Sequence, residues 1–137
     1  VEVDAETLEK IQGKMVLIVD DSRMATKQTT KALDRLGLQN ICAIDGKEAI
    51  ELLEDYKDSE QKIDMIISDI EMPEMDGYTL TAEIKNDERM KSMPVILHTS
   101  LSGVFNNAMV EKVGAEDFIP KFHPDELATA VKKWLKN

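Results

Sequence analysis

The stretch Met65-Ile66-Ile67-Ser68-Asp69-Ile70-Glu71-Met72-Pro73-Glu74-Met75-Asp76-Gly77 decides the reading of this chain. An apolar run of this length, bounded by turn residues, reads as a buried strand. Asp69 closes it, and the proline and glycine beyond force the chain to turn. A carboxylate fixed at a strand tip above a crevice can serve as a nucleophile. A lone acid at such a place is more often a turn or helix-cap residue. What changes the balance is a second acidic tip, Asp20-Asp21, which closes the apolar run Val16 to Val19.

Outward from these two tips the chain alternates apolar runs with amphipathic stretches. The runs are Met15 to Val19, Asn40 to Ile44, Ile63 to Ser68, Val95 to His98 and Asp117 to Ile119. Between them, helical spacing recurs in Ala25, Thr29, Ala32, Leu33, Leu36; in Ala49, Ile50, Leu53; in Leu80, Ile84; in Phe105, Ala108, Met109, Val113; and in Leu127, Ala128, Val131, Trp134, Leu135. The punctuation agrees. Ser22 can cap the first of these helices, Asp45 and Glu48 can form a capping box, Gly37 and Gly114 sit where helices should end, and Pro124 suits a first turn. Strands alternating with helices imply a parallel sheet with helices on both faces. Residues 1–13 fall outside the alternation and read as a linker or short amphipathic helix, leaving 14–137 as the domain.

Composition narrows the partners. The excess of 27 acidic over 17 basic residues argues against a nucleic-acid backbone as a direct partner, which needs clustered cations. No run of about eighteen apolar residues suggests a membrane span, and no signal peptide is evident, so a cytoplasmic location is expected. The single Cys42 cannot form an internal disulfide, and its apolar neighbours suggest a small buried hydrophobe. The missing initiator methionine suggests a piece of a larger protein. No helix-turn-helix is recognisable after Leu135.

The chemistry collects at one edge of the sheet. Asp20 and Asp21 follow the first strand, Asp69 the third, Thr99 the fourth and Lys121 the fifth, all at carboxyl ends, where open parallel sheets place their crevice. In a doubly wound order 2-1-3-4-5 the first and third strands are neighbours and the three aspartates converge. Clustered carboxylates repel one another and call for a cation. Hard oxygen ligands with room for water suit magnesium. Thr99 adds a hydroxyl and Lys121 an ammonium, so the set could hold a phosphoryl group that Asp69 attacks.

At this point the residues resemble a known family over nearly the whole chain, from Met15 to Leu135. Asp20-Asp21, Asp45-Gly46-Lys47-Glu48-Ala49, Ser68-Asp69 with Met72-Pro73 and Met75-Asp76-Gly77, Thr99 and Lys121 are similar, in order and spacing, to the receiver domain of two-component response regulators. The resemblance implies a flavodoxin-like (βα)5 fold, and the strand order 2-1-3-4-5 is carried over with it. It implies that Asp69 takes a phosphoryl group from a sensor histidine kinase. Magnesium would be held by the side chains of Asp21 and Asp69, by the backbone carbonyl of Glu71, and by Asp20 mainly through water. Thr99 and Phe118 would be the switch, working through the fourth and fifth helices of the alternation and the strand between them. Glu71 and Leu101 would flank the approach of a hydrolytic water, with apolar Leu101 slowing it. The segments His98 to Gly103, Phe118 to Phe122 and Pro124 to Leu127 further resemble the receiver half of CheV-type chemotaxis coupling proteins, which implies a chemoreceptor–kinase array as a wider partner.

Two positions depart from the family pattern. Phe122 follows Lys121 where a proline in a cis bond is common; a cis bond here would cost about 3 kcal/mol, so trans is expected. Phe118 stands where many relatives carry tyrosine, and lacks its hydroxyl. His98 reads as a packing residue, His123 as solvent-facing near a helix start, and Trp134 as core or rim. Two other classes stay open. A haloacid-dehalogenase-type phosphatase shares the strand-end acid, but Met72-Pro73 and the lack of a cap insertion disfavour it. A degenerate module that is never phosphorylated is disfavoured by the intact pocket. Flavin binding is disfavoured by the lack of a hydroxyl- or glycine-rich loop after the first strand.

Overall fold

In a computed structural model, the described residues are 5–72, 74–99, 107–121 and 123–135, with 107–109 described by their backbone alone. The elements are α1 (Ala5–Ile11), β1 (Met15–Val19), α2 (Arg23–Arg35), β2 (Gln39–Ala43), α3 (Gly46–Tyr56), β3 (Ile63–Ser68), α4 (Gly77–Lys85), β4 (Val95–Thr99), α5 (Asn107–Val113), β5 (Asp117–Pro120) and α6 (Pro124–Leu135). All strand pairs are parallel and the order is β2-β1-β3-β4-β5. This is the flavodoxin-like, doubly wound fold expected above.

Strand periodicity explains how one sheet builds two cores. Successive side chains point to opposite faces. Val16, Ile18, Met65, Ile67 and Ile96 therefore pack with α1, α2 and α6, while Leu17, Val19, Ile66, Val95 and Leu97 pack with α3, α4 and α5. Burial of each large aliphatic side chain contributes roughly 2 kcal/mol. The central strands are mostly apolar because water reaches neither face over most of their length; Asp64, half-buried near the start of β3, accepts from Met15 N–H at 3.0 Å.

Local chemistry sets the helix ends. Ser22 caps α2 by accepting from the Ala25 N–H, Asp45 caps α3 through Glu48 N–H at 2.8 Å, and Asp76 caps α4 through Thr79 N–H at 2.8 Å. Glu48 reaches back to Ile44 N–H at 3.3 Å, one residue earlier than the capping-box pattern places it. Gly37 and Gly114 have φ of 76° and 84° and end α2 and α5 without the steric cost a side chain would meet.

Four details differ from the sequence reading. β2 begins at Gln39 and ends at Ala43, and β4 and β5 each run one residue further, to Thr99 and Pro120, because these two residues pair. Cys42 is exposed instead of buried. β2 is an edge strand, and an edge is covered less completely than the strands inside. α1 packs on α6, with Ile11 wholly buried among α2 and α6 residues.

Candidate functional site

Backbone bonds between neighbouring strands fix both acidic tips. Asp20 N–H donates to Ala43 O at 3.0 Å, and Asp69 N–H donates to Val19 O at 2.8 Å. Because β1 lies between β2 and β3, the two tips come to the same place. Asp20, Asp21 and Asp69 each offer a carboxylate oxygen within 4.8 Å of the others. Asp20 and Asp69 are buried and Asp21 is exposed.

Lys121 enters this cluster from the end of β5. Its Nζ lies 2.8 Å from Asp20 Oδ2 and 3.3 Å from Asp69 Oδ2, and all three side chains are less than a tenth exposed. The strand pairing places it there: Lys121 N–H donates to Thr99 O at 2.7 Å, which joins the ends of β4 and β5. One ammonium against three carboxylates leaves the pocket negative. Burial raises the Asp69 carboxyl above the ordinary range; the Lys121 charge opposes this and the Asp20 charge adds to it.

The remaining oxygens are unequally committed. Asp20 Oδ1 accepts from Ser22 N–H at 2.9 Å while Oδ2 meets Lys121, so both are engaged. Asp69 Oδ1 accepts from Ile70 N–H at 2.8 Å, holding the carboxylate in one rotamer. Asp21 faces the open mouth, a shallow concavity shared with Ile70, Glu71, Met72, Asp76 and Tyr78. Its acids and the absence of a base among those residues make it hostile to a phosphate dianion without a cation.

The loop beyond Asp69 is shaped by close approaches. Gly77 N–H donates to Ile70 O at 2.8 Å, and a Cβ at Gly77 would run into the Asp69 carbonyl oxygen. Across the loop, a Cβ at Gly46 would strike the Met75 side chain at 2.7 Å. Glu74 holds a left-handed φ of 68° in the same turn. Ser68 Oγ donates to Asp69 O at 2.8 Å, a contact the sequence reading did not single out.

Thr99 is buried at the end of β4, paired in register with Pro120, and its carbonyl oxygen accepts from the Lys121 N–H. Phe118 is half-buried against the α3–α5 side. Glu71 is exposed at the mouth. Leu101 and Phe122 lie outside the described residues, and with Phe122 the geometry of the Lys121-Phe122 bond. His123 is exposed, just before α6.

His98 is buried among Ala25, Thr29, Lys121 and Leu127. Burial first, and the Lys121 charge second, lower its pKa from 6.5 to about 4. It is therefore neutral in the fold. The unfolded chain takes up a proton on this histidine as pH falls below its ordinary value, and the folded chain does not until near the lowered value. Its contribution is thus intact above the ordinary value and is lost on acidification. Lowering pH from 7 to 5 should remove about 2 kcal/mol through this group. Urea unfolding at both pH values should show a drop in the parent that exceeds the drop in His98→Asn by about that amount. Equal drops would mean that His98 is not held neutral.

The profile of the response regulator receiver domain matches residues 16–132. Chemotaxis protein CheV1 of Helicobacter pylori is 36% identical over 134 residues, 97% of this chain and 42% of CheV1. The chain thus spans less than half the length of that relative. Protein PilG of Pseudomonas aeruginosa is 36% identical over 121 residues, 88% of this chain and 86% of PilG. The crystal structure of response regulator TrrA from Thermotoga maritima in complex with Mg2+-BeF superposes with a TM-score of 0.76 at 29% identity, covering 89% of this chain and 99% of that one. Among the described residues, no helix is long and apolar enough to cross a membrane.

Proposed function

Given that the chain belongs to the family of response regulator receiver domains, we propose that Asp69 accepts a phosphoryl group from a histidine of a sensor kinase, in a magnesium-dependent reaction, and that the modification switches the domain. The observation that carries this reading is the convergence of Asp20, Asp21, Asp69 and Lys121 in one pocket at the carboxyl edge of the sheet. An Asp69 oxygen forms the new O–P bond as the N–P bond to the donor imidazole breaks, and the imidazole takes a proton. The domain assists this step without being a dedicated enzyme: Lys121 faces the carboxylate with its charge, and the Ile70 amide holds the carboxylate still.

The donor set fits magnesium. Three clustered carboxylates with a single ammonium leave uncompensated negative charge, and Asp21 opens onto solvent, where an ion can keep its waters. Asp21 and Asp69 would hold the ion directly, with the Glu71 carbonyl, and Asp20 through water because its oxygens are already engaged. Bound there, the ion would supply charge neutralisation for the incoming phosphoryl oxygens. The Mg2+-BeF complex of TrrA supports the same chemistry here.

Asp21→Ala should therefore weaken magnesium binding more than Asp20→Ala does, by on the order of tenfold between the two variants. Magnesium titration followed by amide spectra measures this, and the reverse order would exchange their roles. The reading as a whole is tested by intact mass after acetyl phosphate treatment. One added phosphoryl group with magnesium and none in chelator is the expected pair of results; equal labelling in both would remove the ion from the reaction.

The switch would run through Thr99 and Phe118. A phosphoryl group adds acceptor oxygens that the Thr99 hydroxyl can approach, and the space this opens biases the Phe118 ring inward. The output face would be α5, β5 and α6. Similarity to CheV1, named as a chemotaxis protein, supports a cytoplasmic role in chemotaxis at a chemoreceptor–kinase array. Slow hydrolysis would be set at Leu101, with Glu71 at the opposite flank.

A further inference from the structure

The carboxylate of Asp117 has two partners. Its Oδ1 accepts from the backbone N–H of Phe118 at 2.9 Å, and its Oδ2 accepts from the indole Nε1–H of Trp134 at 3.1 Å. Phe118 lies on β5, and Trp134 is in the last turn of α6. One rigid side chain thus spans the strand that bears the proposed switch residue and the far end of the last helix.

A second link begins where the first stops. Leu135 follows Trp134, and its carbonyl oxygen accepts from Lys14 Nζ at 2.7 Å. That carbonyl belongs to the final turn of α6, where helix carbonyls lack partners within the helix. Lys14 joins α1 to β1: its N–H donates to Ile11 O at 3.1 Å, and its own carbonyl accepts from Gln39 N–H at 2.8 Å. Ile11 is wholly buried in the same core as Val131 and Leu135, and Leu8 packs against that core. The docking of α1 therefore depends on the position of the end of α6.

We propose that α1 is a conformational output of the domain: the Asp117–Trp134 and Lys14–Leu135 contacts couple the Phe118 position to the docking of α1, so that phosphorylation loosens the segment at residues 5–14. This rests on the reading of Asp69 as phosphoacceptor and Phe118 as switch. The direction follows from the contacts. In the unmodified state each link is already made at hydrogen-bond distance. A displacement of β5 at Phe118 pulls directly on the Asp117–Trp134 bond and, through the last turn of α6, on the Lys14–Leu135 bond; beyond these, α1 is held by Ile11 and Leu8 in the core and by the Gly13 N–H to Gly37 O bond at 3.1 Å. Asp117, Trp134 and Lys14 are positioning residues in this scheme, since none touches the pocket.

The test is amide hydrogen exchange on the full chain, with and without magnesium and beryllofluoride. In the parent, exchange of the 5–14 peptide should rise by at least about fivefold on adding beryllofluoride, the lower end of ordinary coupling between two sites. Trp134→Phe keeps an aromatic ring but loses the N–H donor, and should abolish that rise while leaving protection of the Asp69 loop intact. Lys14→Gln tests the second link independently, should Trp134→Phe fold poorly, and should likewise uncouple α1. A protected Asp69 loop with unchanged exchange at 5–14 overturns the relay. So does a full response in both variants. If neither segment responds and Asp69 takes up no phosphoryl group, the reading of the pocket itself has failed, and the relay with it.

Discussion

Asp69→Asn should take up no phosphoryl group from acetyl phosphate under conditions that label the parent once per chain. The amide is nearly the same size and keeps an oxygen that can accept from Ile70 N–H, so the loop should survive while the nucleophile does not. The same substitution should also raise stability in metal-free solution at neutral pH. Burial raises the Asp69 carboxyl above its ordinary value. The folded state therefore binds its proton more tightly than the unfolded state. The stability associated with that proton is present at low pH and is lost as pH rises through the raised value. At pH 7 the charge is a net cost, borne because the site needs it. Removing the charge should move the urea midpoint upward at pH 7 and much less at low pH. A variant that is both unlabelled and strongly destabilised would point to lost packing instead of lost chemistry.

Lys121→Met should slow phosphorylation at saturating magnesium by roughly a hundredfold, the usual scale for deleting one group that stabilises developing charge. Two effects meet in this residue, and the experiment separates them. Its ammonium is 2.8 Å from Asp20 and 3.3 Å from Asp69, with all three side chains buried. Removing one member of a buried charge cluster leaves the others uncompensated, so metal-free stability should fall at neutral pH. Magnesium should restore most of that loss by supplying another cation, yet leave the rate low. Stopped-flow labelling and urea unfolding, each with and without magnesium, read the two quantities. A parent-like rate in a folded, metal-saturated variant would take Lys121 out of the chemistry and leave it a structural counterion.

The strands were legible in the sequence because the three central ones are buried at nearly every position and so spell apolar runs, broken at Asp64, between clear helix caps, while their order came with the family resemblance. That Asp20, Asp69, Thr99 and Lys121 stand at strand ends was legible for a related reason: each apolar run gives way to polar residues there, with Ser68 just before Asp69 and His98 just before Thr99. Cys42 was not, since an apolar neighbourhood says nothing about whether a strand lies at the edge. The α1 docking was not legible either. It joins residues 11 and 14 to residues 131 and 135, and no local period reports a contact between chain ends. Trp134 illustrates the same limit. Its helical spacing shows a face, but the Asp117 partner that gives the indole N–H its role follows only from how β5 and α6 pack.

The most direct measurement is chemical localisation of the phosphoryl group. An aspartyl phosphate is an acyl phosphate, which borohydride reduces to an alcohol, turning the modified aspartate into homoserine. After acetyl phosphate treatment with magnesium, reduction and peptide sequencing by mass spectrometry, homoserine should stand at position 69 and nowhere else. Homoserine at position 20 or 21, or a phosphoryl group found on a histidine with position 69 unreduced, would contradict the account.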